Sequence, residues 1–194
     1  MAKSDPSSQK KERNKTIRWV VTIFWVTIVV SGMISMISDR IMAASNMLVA
    51  FVILLAIVLI GIIFDIIGVA VTSADEKPFH SMAARKVVGA QDAIALLRNA
   101  ERVSSICNDV VGDICGVVSG SASATIAAQI LQEFTFSWPQ VVSLLMSALV
   151  AGLTVGGKAI GKTVAMGSCT DIVYLVGRCI YQMRRLTLVF HKKK

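Results

Sequence analysis

At 194 residues, with 55% hydrophobic residues and a mean hydropathy of +0.69, the chain is too apolar for a soluble domain of its length and too short for a large transporter. Its formal net charge is +8, yet the basic residues gather at the two ends: Lys10, Lys11, Arg13, Lys15 and Arg18 before the first apolar run, then Arg184, Arg185, Lys192, Lys193 and Lys194 at the last. No helical face interleaves basic and aromatic residues, which excludes nucleic acid as a partner and favours anionic lipid headgroups.

In chain order, residues 1–16 are polar, charged and interrupted by Pro6, and read as a disordered tail on the cytoplasmic side. Residues 17–37 supply about 21 mostly apolar positions, enough for a hydrocarbon core of about 30 Å, with Trp19 and Trp25 near the start. The run is too long for a signal-peptide core and lacks a clear cleavage site, so it is read as a permanent first span. After a short link at 38–46, residues 47–71 form a second span that returns to the cytoplasm, with Asp65 in its last third.

Residues 72–102 mix charges with Met82, Val87, Ala90, Ile94 and Leu97 at helical spacing. That pattern predicts one or two amphipathic helices at the membrane surface. Residues 103–131 form a third span, longer than a bilayer needs and either tilted or broken near 120–123. Along it Asn108, Gly112, Gly116, Gly120, Ala124 and Ala128 recur every fourth position, a stripe that lets a neighbouring helix approach closely and turns Asn108 toward protein. The sequence EFTFSWP at 133–139 is an external turn, and residues 140–155 are the fourth and shortest span, delivering Gly156, Gly157, Lys158, Gly161 and Lys162 to the cytoplasmic boundary. Residues 165–191 could cross a fifth time, but Asp171, Arg178, Arg184 and Arg185 favour an in-plane amphipathic helix. The expected fold is therefore all-α: a multi-pass protein of the cell membrane with about four spans, surface helices, and both termini cytoplasmic.

Asp65, Asn108, Asp109 and Asp113 carry the chemistry, because a charge within a span is expensive and usually has a partner and a task. Antiparallel neighbours bring Asp65, Asn108, Asp109 and Lys158 to one depth. Asp113, four residues beyond Asp109, shares its face. Carboxylates and an amide are hard oxygen ligands suited to Mg²⁺. The same residues equally suit a buried ion pair of Lys158 with Asp65 or Asp109. Cys107, Cys115, Cys169 and Cys179 make no CxxC pair, which leaves them as small buried thiols. His80 and His191 lie in polar edges with no Ser, Cys or Asp in a catalytic pattern, so an enzyme is not expected.

An apolar helix, amphipathic helices, NAERVSSICNDVVGDICG at 99–116, a further span and GKAIGKTVA at 157–165 follow one another in an order that resembles the transmembrane domain of the cyclin-M-like (CNNM) and CorB/CorC magnesium transporters. The resemblance covers residues 47–182, leaving 17–37 as an additional helix and 183–194 as a basic tail. It implies ion transport with Mg²⁺ as the ion and a homodimer, or a heteromer with a related membrane protein. In that family the second element ends in a Gly-Asn-Asn helix start and the third reads Gly-Glu-x-x-Pro-Lys-Thr. Asn108 then falls on the metal-binding Asn, Gly157 on the glycine and Lys162 on the lysine, while Lys158 replaces the metal-binding Glu, Gly161 the Pro and Cys107 the preceding Gly. FDIIG at 64–68 corresponds to the helix that offers hydroxyls and a Glu, placing Asp65 near a Ser position and Gly68 near the Glu.

The resulting metal-ligand set is Asn108, Asp65, Asp109 and Gly157, with Gly157 and Gly161 offering carbonyls at a helix break. Lys158 is either an internal counter-ion that makes a non-transporting subunit or a substitution for which Asp65 compensates. The tandem nucleotide-sensing CBS domains that usually follow have no counterpart here, so the resemblance implies no ATP-linked regulation in cis.

Overall fold

The most hydrophobic stretch of the chain becomes the helix around which the others are arranged. In the computed structural model, which describes residues 6–43, 45–134 and 138–191, the described residues form helices joined by short turns, with no strand among them. We number the helices α1 (Pro6–Ala43), α2 (Met47–Ser73), α3 (Lys77–Ala84), α4 (Ala90–Arg98), α5 (Ala100–Glu133), α6 (Pro139–Gly167) and α7 (Cys169–His191). Among the described residues, four segments are long and apolar enough to cross a membrane: Ile17–Met42, Met47–Ser73, Ala100–Glu133 and Pro139–Gly167.

The helix α2 touches α5, α6, α4 and α7. The helix α1 packs mainly on α5 and only lightly on α2, its neighbour in sequence. Apolar residues at helical spacing on α2 divide the interior into two clusters. Ala50, Leu54 and Val58 meet Met42, Ala122, Ile126 and Val150 in one. Ala70 and Val71 meet Phe79, Ala93, Leu97, Ala165 and Val173 in the other, beneath the amphipathic helices. The outward faces stay apolar, as at Trp25, Leu144, Val155 and Ile160, which suits lipid contact.

Several boundaries differ from those read in the sequence. Helix α1 starts at Pro6, so residues 6–16 are helical and not a disordered tail: proline suits a first turn and no further helix breaker follows before the span. Residues 1–5, the lysines at 192–194 and positions 135–137 of the external turn lie outside the described residues. The third span is unbroken at 120–123. Its irregularity is a π-helical segment, Ile106–Gly112, about two turns earlier. Helix α6 likewise runs through to Gly167, so Gly157 and Gly161 break nothing. Both glycines admit α2, since a Cβ at Gly157 would overlap Ile62 and one at Gly161 would sit 2.8 Å from Ile66 Cγ1.

The amphipathic layer is built from α3, α4 and α7. Phe79 is its fully buried anchor, whereas Val87, expected on the inner face, is 36% exposed in the α3–α4 turn. Gly89 carries φ of +88°, a conformation that disfavours any side chain, and opens α4 against α7. A Cβ at Gly177 would lie 2.7 Å from the Gly89 carbonyl oxygen, so the two backbones cross at glycine on glycine. An Asp92 to Arg184 pair at 3.6 Å, its arginine largely exposed, adds a contact of little energetic weight between the same helices.

Gly177→Ala is therefore expected to prise α7 from α4 at an overpacking cost of about 1–3 kcal/mol. Limited trypsin digestion should cut faster at Arg184 and Arg185, while Gly167→Ala, which meets open space, leaves the pattern unchanged. Equal digestion of both variants would refute the glycine crossing.

Candidate functional site

Between the two apolar clusters, α2 presents Asp65 and Gly68 on one face, three residues apart and so with Cβ positions roughly 5–6 Å from each other. Asp65 is 5% exposed. Gly68 has no side chain of its own there. The Asn108 amide occupies its place, and a Cβ at Gly68 would overlap the Asn108 oxygen. From α6, Lys158 Nζ reaches Asp65 Oδ1 at 3.8 Å and lies 3.4 Å from where a Cβ of Gly112 would stand.

The π-helical segment explains how α5 serves both contacts. Its wider turn adds a residue per turn and shifts the side chains that follow. Asn108 and Gly112 lie within it, so the amide is aimed at Gly68 and the small residue at Lys158. Local side chains support the segment. Asn108 Nδ2 donates to Ser104 Oγ at 3.2 Å, and Ser105 Oγ donates to Asp109 Oδ2 at 2.8 Å.

Those bonds leave specific atoms unsatisfied. Asp65 Oδ2 and Asn108 Oδ1 are buried and accept no hydrogen bond. An orphaned buried acceptor costs about 1–3 kcal/mol, more when charged. The ion pair offsets part of this for Asp65, but 3.8 Å is longer than a good charge-assisted hydrogen bond. Asp65 Oδ2, on the carboxylate that meets Lys158, and Asn108 Oδ1, over Gly68, are thus hard donors without a hydrogen-bond partner.

The structure brings together Asp65, Asn108 and Lys158, with Gly68 and Gly112 as the small residues that let them meet. It does not bring Asp109 to them. Asp109 and Asp113 share a face as expected, but that face is exposed, and the Asp109 carboxylate is held by Ser105. The partner of Lys158 is therefore Asp65 and not Asp109. Gly157 sits on the same helix as Lys158 but faces Ile62. Lys162 is exposed. The cysteines are unpaired, and Cys179 is exposed where a buried thiol was expected. Among the described residues no three His, Cys, Asp or Glu side chains cluster, so any cation here would rely on amide, hydroxyl and water oxygens beside Asp65.

Sequence reasoning missed Gly61, and it named Gly68 only as the position near the family's Glu, not as a packing contact. Gly61 admits Cys115, whose Cβ would lie 2.9 Å from an added Cβ, and Gly68 admits Asn108. Their seven-residue separation on an otherwise aliphatic helix was the available signal. The fourfold stripe on α5 carried less than its regularity suggested, because Gly116 and Gly120 meet open space while Ser119, Ala122, Ser123 and Ile126 face inward. A spacing of four drifts about 40° per step around a helix of 3.6 residues per turn.

Comparison with protein-family models, with curated proteins and with solved structures found no match to this chain.

The packing at Gly68 separates it from its fellow glycines. Gly68→Ala should lower the thermal unfolding midpoint in detergent, by the equivalent of about 1–3 kcal/mol, as the Asn108 amide is displaced. Gly116→Ala should leave the midpoint level or raise it, because alanine favours helix and meets nothing. Matching shifts in the two variants would count against a seated amide.

Proposed function

We propose that the chain is a multi-pass membrane protein that moves a divalent cation, with Mg²⁺ as the substrate, through the site at Asp65 and Asn108. The observation that carries this reading is the pair of buried, unpartnered oxygens, Asp65 Oδ2 and Asn108 Oδ1, within a bundle of apolar helices. Buried ionisable groups in spanning helices mark ion paths, and Mg²⁺ is content with few protein oxygens because it keeps several waters. The likeness of NAERVSSICNDVVGDICG and GKAIGKTVA to the CNNM and CorB/CorC motifs points the same way, with Asn108 as the shared ligand.

A second reading is favoured by Lys158. Its ammonium lies beside Asp65, where a cation would otherwise bind, and a tethered cation there makes a non-transporting structural or regulatory subunit. Under either reading the protein sits in the cell membrane with its termini and the α3, α4, α7 layer in the cytoplasm, since the basic ends obey the positive-inside rule. Pairing with a second copy or a related membrane protein uses the outer side of α5 and α6. A recess of about 260 Å³ opens there beside Gly116, Gly120, Ser147 and Thr154.

Reconstituted vesicles loaded with a Mg²⁺ indicator separate the readings. Transport predicts uptake by the native chain that falls at least about tenfold in Asp65→Asn, equivalent to roughly 1.4 kcal/mol at the site. The tethered-cation reading predicts uptake only after Lys158→Glu. Absence of uptake in both the native chain and Lys158→Glu would exclude transport.

A further inference from the structure

The corner where α4 turns into α5 is independent of the buried ion pair and is chemically distinct from it. Leu97, Arg98, Asn99, Ala100, Glu101 and Arg102 line an open recess there of about 430 Å³. Arg102 holds its guanidinium 5.7 Å from the centre of the Trp19 ring, which joins α1 to this corner. Arg18 precedes Trp19 and is exposed. Arg98 and Arg102 thus line the recess, and Glu101 is the one acid in its lining. Among the described residues no carboxylate pairs with Arg98 or Arg102.

Depth identifies the occupant. Trp19 stands two residues into the span Ile17–Met42, and Arg102 is in the first turn of the span Ala100–Glu133, so both mark one boundary of the apolar layer. Tryptophan favours that boundary, and a guanidinium on its face is held at headgroup level instead of reaching into water. Arginine presents a planar fork of donors that matches phosphate oxygens. A free anion would be drawn to any exposed arginine. A lipid phosphate is delivered to this one by the adjoining acyl chains, which can lie along exposed Ile17, Val20 and Val21 of α1.

We propose that the α1–α4–α5 corner binds the headgroup of an anionic phospholipid, with Arg98 and Arg102 on the phosphate and Trp19 packed against Arg102. The bound lipid ties α1 to the bundle at a point where α1 itself buries little. It acts as a fastener between the first helix and the amphipathic layer.

Native mass spectrometry of the full chain, released from detergent with dioleoyl phosphatidylglycerol or dioleoyl phosphatidylcholine, tests this. Phosphatidylglycerol should be retained preferentially, with retention falling about fivefold in Arg98→Gln and about 25-fold in Arg98→Gln/Arg102→Gln, since each surface arginine contributes about one such factor toward an anionic lipid. Arg98→Lys/Arg102→Lys should keep most of the binding. If the double glutamine variant fails to fold, Arg98→Gln carries the test, because its guanidinium is not the one on Trp19. Undiminished phosphatidylglycerol retention in Arg98→Gln overturns the proposal. So does binding of millimolar inorganic phosphate in lipid-free detergent, by phosphorus NMR, at the affinity of the lipid, because the recess would then be a site for free phosphate.

Discussion

The meeting of a side chain with the absence of one, the Asn108 amide seated on Gly68, is the constraint on which the rest of the bundle depends. Because Gly68 yields its Cβ volume, α5 can lie against α2 at the depth of Asp65, and the same closeness recurs one heptad earlier where Cys115 meets Gly61. About a third of a turn around α2, Gly157 and Gly161 of α6 accept Ile62 and Ile66. With α5 and α6 both close to α2, Lys158 comes within 3.8 Å of Asp65. In apolar surroundings such close backbone approach supplies van der Waals packing where no hydrophobic drive between helices exists.

The energetic balance at this point differs from that of the apolar clusters on either side. Leu54 and Val58 on one side and Ala70 and Val71 on the other need only be covered. Asp65 and Asn108 must be satisfied, and each has one oxygen that is not. A buried pair such as Lys158 with Asp65 adds little net stability once desolvation is counted, and breaking it is costly. The site therefore holds helices in place through what would be lost, with Asp65 Oδ2 and Asn108 Oδ1 left without a hydrogen bond.

The sequence made the number and order of spans legible, because about 20 apolar residues between polar breaks have few other uses. It also marked Asp65, Asn108 and Lys158 through their depth alone. It misled on Asp109, since the side to which a residue turns depends on the π-helical segment, and seven residues of unremarkable helix-permissive sequence do not announce a changed period. Helix ends were misjudged for a related reason: the polar residues of 6–16 and the glycines of 156–161 look like punctuation, but nothing in either stretch forbids helical backbone. Glycine contacts were hardest to anticipate. Whether Gly68 or Gly116 is occupied depends on the partner helix, and beyond the spacing of Gly61 and Gly68 the sequence does not distinguish them.

The π-helical segment also makes α5 uneven in its tolerance of length. Elsewhere along an α-helix, losing one residue turns everything downstream by about 100° and swaps lipid-facing for inward-facing positions. Within Ile106–Gly112 the chain already holds a surplus residue in its widened turn, so a deletion there can be absorbed by a return to the ordinary pitch. The far half of α5 would then keep Ser119, Ala122 and Ser123 inward, while Asn108 lost the offset that aims it at Gly68. Length variation among homologous chains would for that reason separate two properties that point substitutions tend to affect together: the bundle would persist, and the seating of Asn108 on Gly68 would be lost.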